Sequence, residues 1–285
     1  METFCVDLYD YYGQPKPENG HGKLTVLFAH TCSENLPKRM RPAVLILPGG
    51  GYAYTSPREA EPIALPFLTA GYATFVLHYS YAPCRFPTAL REAAMAMRYI
   101  RENCKEMEVD PSMVAAIGFS AGGHLCGTLG MLYDCPEVAD LGDAASIRPD
   151  ALGLCYPVAL SWGEAAHAES FIYLTGGDEA LTARLSLERL VRPDMPPAFL
   201  WHTRTDGVVH CSNSLLLANA MAEKGVPFAL HVYGEGPHGL ATVDELTYPV
   251  GGVPKHSWDV PGWFQAMIRY FADCGFRTTE LTGNE

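Results

Sequence analysis

The sequence has 285 residues, 48% of them apolar and 18% charged, with a formal net charge of −12. A chain of this length and composition can bury a large core without disulfides or metals, and is too apolar to be intrinsically disordered. The acidic balance, with no basic stretch to offset it, argues against nucleic acid and an anionic membrane surface, more weakly against polyanionic substrates, and favours a neutral one.

Near the start, Phe4–Tyr9 and Leu24–Phe28 read as strands flanking the turn-rich stretch Gly13–Gly22. Ala43–Leu47 is a continuous apolar run, as expected of a strand buried on both faces. A helix over Glu59–Thr69 ends at Gly71, and Ala73–Leu77 is the next strand. Pro87–Cys104 carries Leu90, Ala93, Ala94, Met97 and Ile100 at helical spacing, and Asp110-Pro111 is a turn signal. Val114–Ile117 is a short buried strand followed by a helix over Ala121–Leu132. The alternation continues through Leu152–Tyr156, Ala198–Trp201, a helix over Ser212–Lys224, Phe228–Val232 and a last helix near Trp263–Phe271.

Strands alternating with helices predict an α/β fold whose mostly parallel sheet is covered on both faces. The break in rhythm, Val158–Met195, is long, mixed and polar. It is expected to be an insertion near the strand ends, in a single domain covering residues 1–285.

Gly118-Phe119-Ser120-Ala121-Gly122-Gly123 stands between the apolar run 114–117 and the helix that follows, a Gly-x-Ser-x-Gly in strand–turn–helix context. Such a serine sits on a sharp turn that pushes its hydroxyl into a site, and glycines two places to either side permit the close chain approach. The helix start adds positive potential where an oxyanion forms. The plainer alternative is an ordinary Gly-rich helix start, and the strand context weighs against it.

Leu47-Pro48-Gly49-Gly50-Gly51-Tyr52 follows the strand 43–47. Its glycines can turn N–H groups toward a reacting carbonyl; alone they would read as a flexible turn, and no Gly-Lys-Ser/Thr follows to suggest a phosphate loop. With a nucleophile elbow downstream, the expected oxyanion donors are Gly50, Gly51 and Ala121.

An acid and then a histidine should follow Ser120 in chain order. Among His167, His202, His210, His231, His238 and His256, His238 fits best, because its loop Gly234–Gly239 directly follows the strand 228–232. His231 lies within that strand, His256 in an exposed Pro/Gly-rich stretch, and His202 and His210 bracket the candidate acid as neighbours. That acid is Asp206, one strand earlier; the bland reading of an Asp in a turn is local capping. Asp244 and Asp259 come after His238 and break the order.

With these pieces placed, the sequence resembles the α/β-hydrolase esterases, and within them the BD-FAE or acetyl xylan esterase-like branch. The matching stretches are Leu47–Tyr52, His78–Tyr81 with Pro83 and Phe86-Pro87, Gly118–His124, Pro196–Thr203, Asp206 and Gly236–Gly239, in order over about residues 40 to 275. Pro48 stands where the family's oxyanion loop often begins with histidine, and His210 replaces a proline common after its acid. The resemblance implies Ser120, Asp206 and His238 as a triad, Gly50, Gly51 and Ala121 as oxyanion donors, and an esterase acting on acetylated sugars, aryl esters and similar small esters.

Tyr52, His124 and Trp201 are expected to bind substrate; Tyr52, Tyr79, Tyr81 and Trp201 flank the motifs, and flat rings with a polar edge suit sugar faces, while the bland reading is that such aromatics fill the core. No cofactor is called for, and with no His-x-x-x-His or Cys-x-x-Cys grouping, no metal. The expected partner is a small neutral ester, an acetylated sugar, with no nucleic acid and no membrane; a homo-oligomer is compatible with the sequence. A formamidase or peptidase on the same scaffold, or a silent ligand-binding module, are the rivals. Retention of candidates for all three triad positions discriminates against the silent module. The nine scattered cysteines, odd in number, and a start without a basic-then-apolar leader predict reduced thiols and a cytoplasmic protein.

Overall fold

A computed structural model describes residues 1–31, 40–244, 246–247 and 260–277. Eight strands form one sheet: β1 Glu2–Asp7, β2 Lys23–Phe28, β3 Arg41–Leu47, β4 Ala73–His78, β5 Val109–Phe119, β6 Ala151–Cys155, β7 Ala198–Thr203 and β8 Phe228–Tyr233. Their spatial order is β1-β2-β4-β3-β5-β6-β7-β8. The β1–β2 and β2–β4 pairs are antiparallel, and every pair from β4 to β8 is parallel. Ten helices accompany them: α1 Leu8–Tyr12, α2 Glu61–Thr69, α3 Thr88–Glu102, α4 Ala121–Leu132, α5 Ala144–Ile147, α6 Ala168–Thr175, α7 Glu179–Arg184, α8 Leu187–Leu190, α9 Ser212–Glu223 and α10 Trp263–Asp273, as counted among the described residues.

The continuous apolar runs of the central strands are explained by two cores, one on each sheet face. Along β3, Ala43, Leu45 and Leu47 join the core formed with α3, α4 and α9, while Val44 and Ile46 join the core under α2 and α10. Period-two alternation sends successive side chains to opposite faces, so a strand covered on both sides needs apolar residues at every position.

Three local expectations are corrected. The first strand stops at Asp7 rather than reaching Tyr9, because the Asp7 side chain accepts the N–H groups of Tyr9 and Asp10 and caps α1, which Gly13 ends in a left-handed conformation. The helix expected from Glu59 begins at Glu61, after a separate tight turn over Pro57–Glu59. The Asp110-Pro111 turn signal lies inside β5, where pairing with β3 jumps from Arg41–Val109 to Ala43–Val114 in a bulge that absorbs the proline.

The stretch 158–195 folds into α6, α7 and α8 with their connections. In a parallel sheet all strands end on one side, and the loops leaving β3, β5, β6, β7 and β8 therefore converge there.

Candidate active site

Ser120 follows β5 and precedes α4, with φ 54° and ψ −119°. The glycines around it are required by contact. A Cβ on Gly118 would lie 2.0 Å from the Gly122 carbonyl oxygen, and one on Gly122 would lie 2.1 Å from that of Leu47. The turn is thus pressed against its own helix and against the end of β3, which brings Ser120 beside the glycine loop.

Ser120 Oγ donates to His238 Nε2 at 2.8 Å, and His238 Nδ1–H donates to Asp206 Oδ2 at 2.7 Å. The carboxylate can only accept, which fixes the ring tautomer. Asp206 Oδ1 accepts the N–H groups of Val208 and Val209, both at 2.9 Å. Burial pushes the Asp206 carboxyl up, but hydrogen bonds from His202 and His238, the His238 charge and the Val208 N–H outweigh it and hold the group below its ordinary value. The loops carrying Asp206 and His238 are stitched together, with Thr203 Oγ1 donating to the Gly236 carbonyl at 2.8 Å and the Gly236 N–H donating to Thr205 Oγ1 at 2.9 Å.

The other histidines are engaged elsewhere. His202 is fully buried, donates Nε2–H to the Val209 carbonyl at 2.8 Å, accepts from Ser214 Oγ at 2.8 Å, and stands 3.4 Å from Asp206 Oδ2. His210 is exposed beside Ser212, and the His231 ring packs tilted against Phe199. Asp244 bonds the Leu246 N–H, while His256 and Asp259 lie outside the described residues.

The glycine loop after β3 turns back on itself, with Gly50 at φ 125° and Gly51 at φ 65°. Its carbonyls bond inward, Gly50 accepting from Ala53 at 3.0 Å and Gly49 from Ser56 at 2.9 Å. Among the described residues no acceptor takes the N–H of Gly50 or Gly51, and Ala121 opens α4, where N–H groups lack intrahelical partners. The loop is braced although Pro48 stands where the family often has a histidine. Tyr79 Oη donates to the Pro48 carbonyl at 2.6 Å, and the Gly49 N–H donates to Glu59 Oε2 at 2.9 Å. Tyr156, at the end of β6, donates to Glu59 Oε1 at 2.7 Å and accepts the Ala241 N–H at 3.1 Å, and its ring meets that of His238 edge-on at 5.1 Å. Burial pushes the Glu59 carboxyl up, against the pull of Tyr156, His238 and Gly49.

A cleft of 250 Å³ opens over Ser120, with walls that include Tyr54, Arg58, His167, Glu169, Tyr173 and Val208. His167, just before α6, and Glu169 and Tyr173, on it, belong to the 158–195 stretch, which thus supplies part of the cleft. The expected substrate contacts are corrected here. Tyr52, His124 and Trp201 are 3%, 1% and 0% exposed and do not line the cleft. Trp201 stacks on Trp263 in the core at 5.3 Å. Tyr52 donates to His124 Nδ1, and His124 Nε2–H donates to the Leu185 carbonyl, both at 2.8 Å. These two tie the glycine loop and α4 to the inserted stretch. The cleft aromatics are Tyr54 and Tyr173, and the sequence signal for Tyr54 was its place three residues beyond Gly51, the last of the loop glycines.

A family model for BD-FAE matches residues 33–146, which hold the glycine loop and Ser120. Endo-1,4-beta-xylanase B of Butyrivibrio fibrisolvens is 37% identical over 240 residues, 80% of this chain and 36% of that protein. Among solved structures, an acetyl ester-xyloside bifunctional hydrolase from Caldicellulosiruptor lactoaceticus superposes with a TM-score of 0.75 at 32% identity, over 90% of this chain and 89% of that one. The carboxylesterase Cest-2923 from Lactobacillus plantarum WCFS1 gives a TM-score of 0.82 at 28% identity, over 98% of this chain and 100% of that one. The chain spans 36% to 50% of the length of the first curated relatives it matches. No helix among the described residues is long and apolar enough to cross a membrane. By its fold, its glycine loop and elbow, and these matches, the chain belongs to the α/β-hydrolase esterases, a family of carboxylic ester hydrolases, and its residues 33–146 match the BD-FAE model within them.

Proposed function

We propose that this chain is a serine carboxylesterase that removes short acyl groups, acetyl above all, from a carbohydrate alcohol. The observation that carries the reading is the unbroken hydrogen-bond chain Ser120–His238–Asp206, at 2.8 and 2.7 Å. In this reading His238 Nε2 takes the Ser120 proton as Oγ attacks the ester carbonyl. Asp206 holds the ring in the required tautomer and stabilises the imidazolium. The tetrahedral oxyanion forms against the N–H groups of Gly50, Gly51 and Ala121. His238 then gives its proton to the departing alcohol, and water activated by the same ring hydrolyses the acyl-enzyme.

Three features support a small acyl group and a sugar alcohol. The cleft is only 250 Å³, and Tyr54 and Tyr173 offer rings with polar edges to its contents. The Gly49 and Gly50 carbonyls fold inward, leaving the N–H groups of Gly50 and Gly51 for a ligand. The names of two relatives, an endo-1,4-beta-xylanase and an acetyl ester-xyloside bifunctional hydrolase, concern xylan, acetyl esters and xylosides. The described cysteines are all free thiols, which suits a reducing, cytoplasmic setting.

The test is a panel of p-nitrophenyl esters from acetate to decanoate beside acetylated xylosides. Expected is a kcat/KM highest for acetate and falling with chain length, with acetate released from the xylosides. A kcat/KM that climbs with each CH₂, by up to ~0.8 kcal/mol apiece, would mean an apolar acyl channel and contradict the proposal.

A further inference from the structure

Arg58 is a guanidinium in the cleft with no ion-pair partner among the described residues. Seven other arginines in the described residues hold a carboxylate within ion-pair distance, in a chain with 32 acidic and 20 basic residues. Arg58 pulls electrostatically on the buried Glu59 carboxyl, but among the described residues no carboxylate stands within ion-pair distance of its guanidinium. It is also placed. Arg58 stands on the tight turn Pro57–Glu59, and its Nη2 lies 3.1 Å from where a Cβ on Gly239 would sit. Gly239, at φ 72°, directly follows His238, and its bare Cα leaves room for the guanidinium against that loop.

The neighbouring acids leave its N–H donors free: Glu59 feels the Arg58 charge but is hydrogen-bonded elsewhere. Glu59 is 3% exposed, and its two oxygens are taken by the Gly49 N–H and the Tyr156 hydroxyl. Glu169, on the α6 side of the cleft, is approached by the Tyr173 hydroxyl at 3.3 Å. A guanidinium presents N–H donors in a planar fork that fits a carboxylate with two parallel bonds. Its place beside the His238 loop puts it on the side from which the leaving alcohol takes its proton.

The geometry points to Arg58 as the residue that selects substrate charge: the alcohol part of the ester carries a carboxylate, as a uronic acid unit does, and the guanidinium holds it next to His238. This inference rests on the esterase reading and narrows it. The net charge of the whole chain favours neutral substrates at long range, but screening confines that field to about 8 Å at physiological salt, so the group inside the cleft decides.

The experiment compares two acetate esters of one sugar, an acetylated methyl glucuronoside and the matching glucuronamide, which differ only in charge. The wild-type enzyme should favour the carboxylate by about tenfold in kcat/KM, mostly through KM. The preference should shrink as NaCl rises to 0.5 M, fall to near one in Arg58→Gln, and be partly kept in Arg58→Lys, which supplies the charge without the fork. A wild-type ratio at or below one, a ratio indifferent to salt, or a ratio unchanged in folded Arg58→Gln would overturn the assignment. p-Nitrophenyl acetate is the control that separates the two readings. If the wild type hydrolyses it while showing no charge preference, only the role of Arg58 fails; if it does not hydrolyse it, the esterase reading fails and this inference with it.

Discussion

Glu59 accepts the N–H of Gly49 at 2.9 Å, so a buried carboxyl ten residues downstream holds the glycine loop in place. Its other oxygen takes the Tyr156 hydroxyl, and Tyr156 in turn takes the Ala241 N–H beyond His238. One side chain thereby links the loop that would receive the oxyanion to the segment that follows His238.

Glu59→Ala strands the Gly49 N–H and the Tyr156 hydroxyl in the interior, at about 1–3 kcal/mol for each unmet group. The expected result is a lower melting temperature, with kcat reduced at least tenfold and KM shifted less than threefold, because misplaced oxyanion donors act on the transition state. Glu59→Gln, which keeps one acceptor, should fall between. A rise in KM at unchanged kcat would assign Glu59 to binding instead.

Burial pushes the His124 imidazole down to about 4 from an ordinary 6.5, against the hydrogen bond to Leu185. The folded protein therefore holds this ring neutral, while the unfolded chain protonates it below about 6.5. Stability from this residue is full above that pH and is lost as pH falls toward 4, a change on the order of 3 kcal/mol. Urea midpoints measured from pH 7.5 to 4.5 should decline less steeply for His124→Gln than for the wild type, although the variant is less stable at pH 7.5. Parallel slopes would mean that His124 is not the group being charged.

The three histidines around the acid should separate by function. His238→Ala is expected to lose several orders of magnitude in kcat, as removal of a triad member does. His210, exposed and bonded only to Ser212 next to it, should be replaceable by alanine with most activity kept. His202→Ala should lose stability and about tenfold in activity, because it removes a buried ring 3.4 Å from Asp206. Steady-state kinetics with melting curves on the three variants decides this, and an inactive, folded His210→Ala would displace His238 from its role.

The closeness of Asp206 and His238 to Ser120 was readable because the chain order of an alternating strand–helix pattern says which loops share a side of the sheet. Asp206 and His238 each follow a strand, and that was enough to bring them toward Ser120 without knowledge of any contact. The glycines at 118 and 122 were readable because only glycine survives a backbone approach near 2 Å. Tyr52, His124 and Trp201 misled because proximity in sequence to a motif does not say which way a ring faces; Trp201 alternates into the core under α10, and Tyr52 turns inward to His124. Glu59 was hidden as an acid at an expected helix start, where helix-dipole and capping effects explain it without any tertiary partner. His167 and Tyr173 depend on how the 158–195 stretch folds back over the sheet, which no local periodicity records.

The central claim is that Ser120 is a nucleophile activated by His238. Treatment of the native protein with a fluorophosphonate, followed by peptide mass spectrometry, tests it most directly. One phosphonyl adduct per chain is predicted, on the peptide that contains Ser120, absent in Ser120→Ala and formed far more slowly in His238→Ala. A native, folded protein that takes no label, or a Ser120→Ala variant that labels as fast as the wild type, would contradict it.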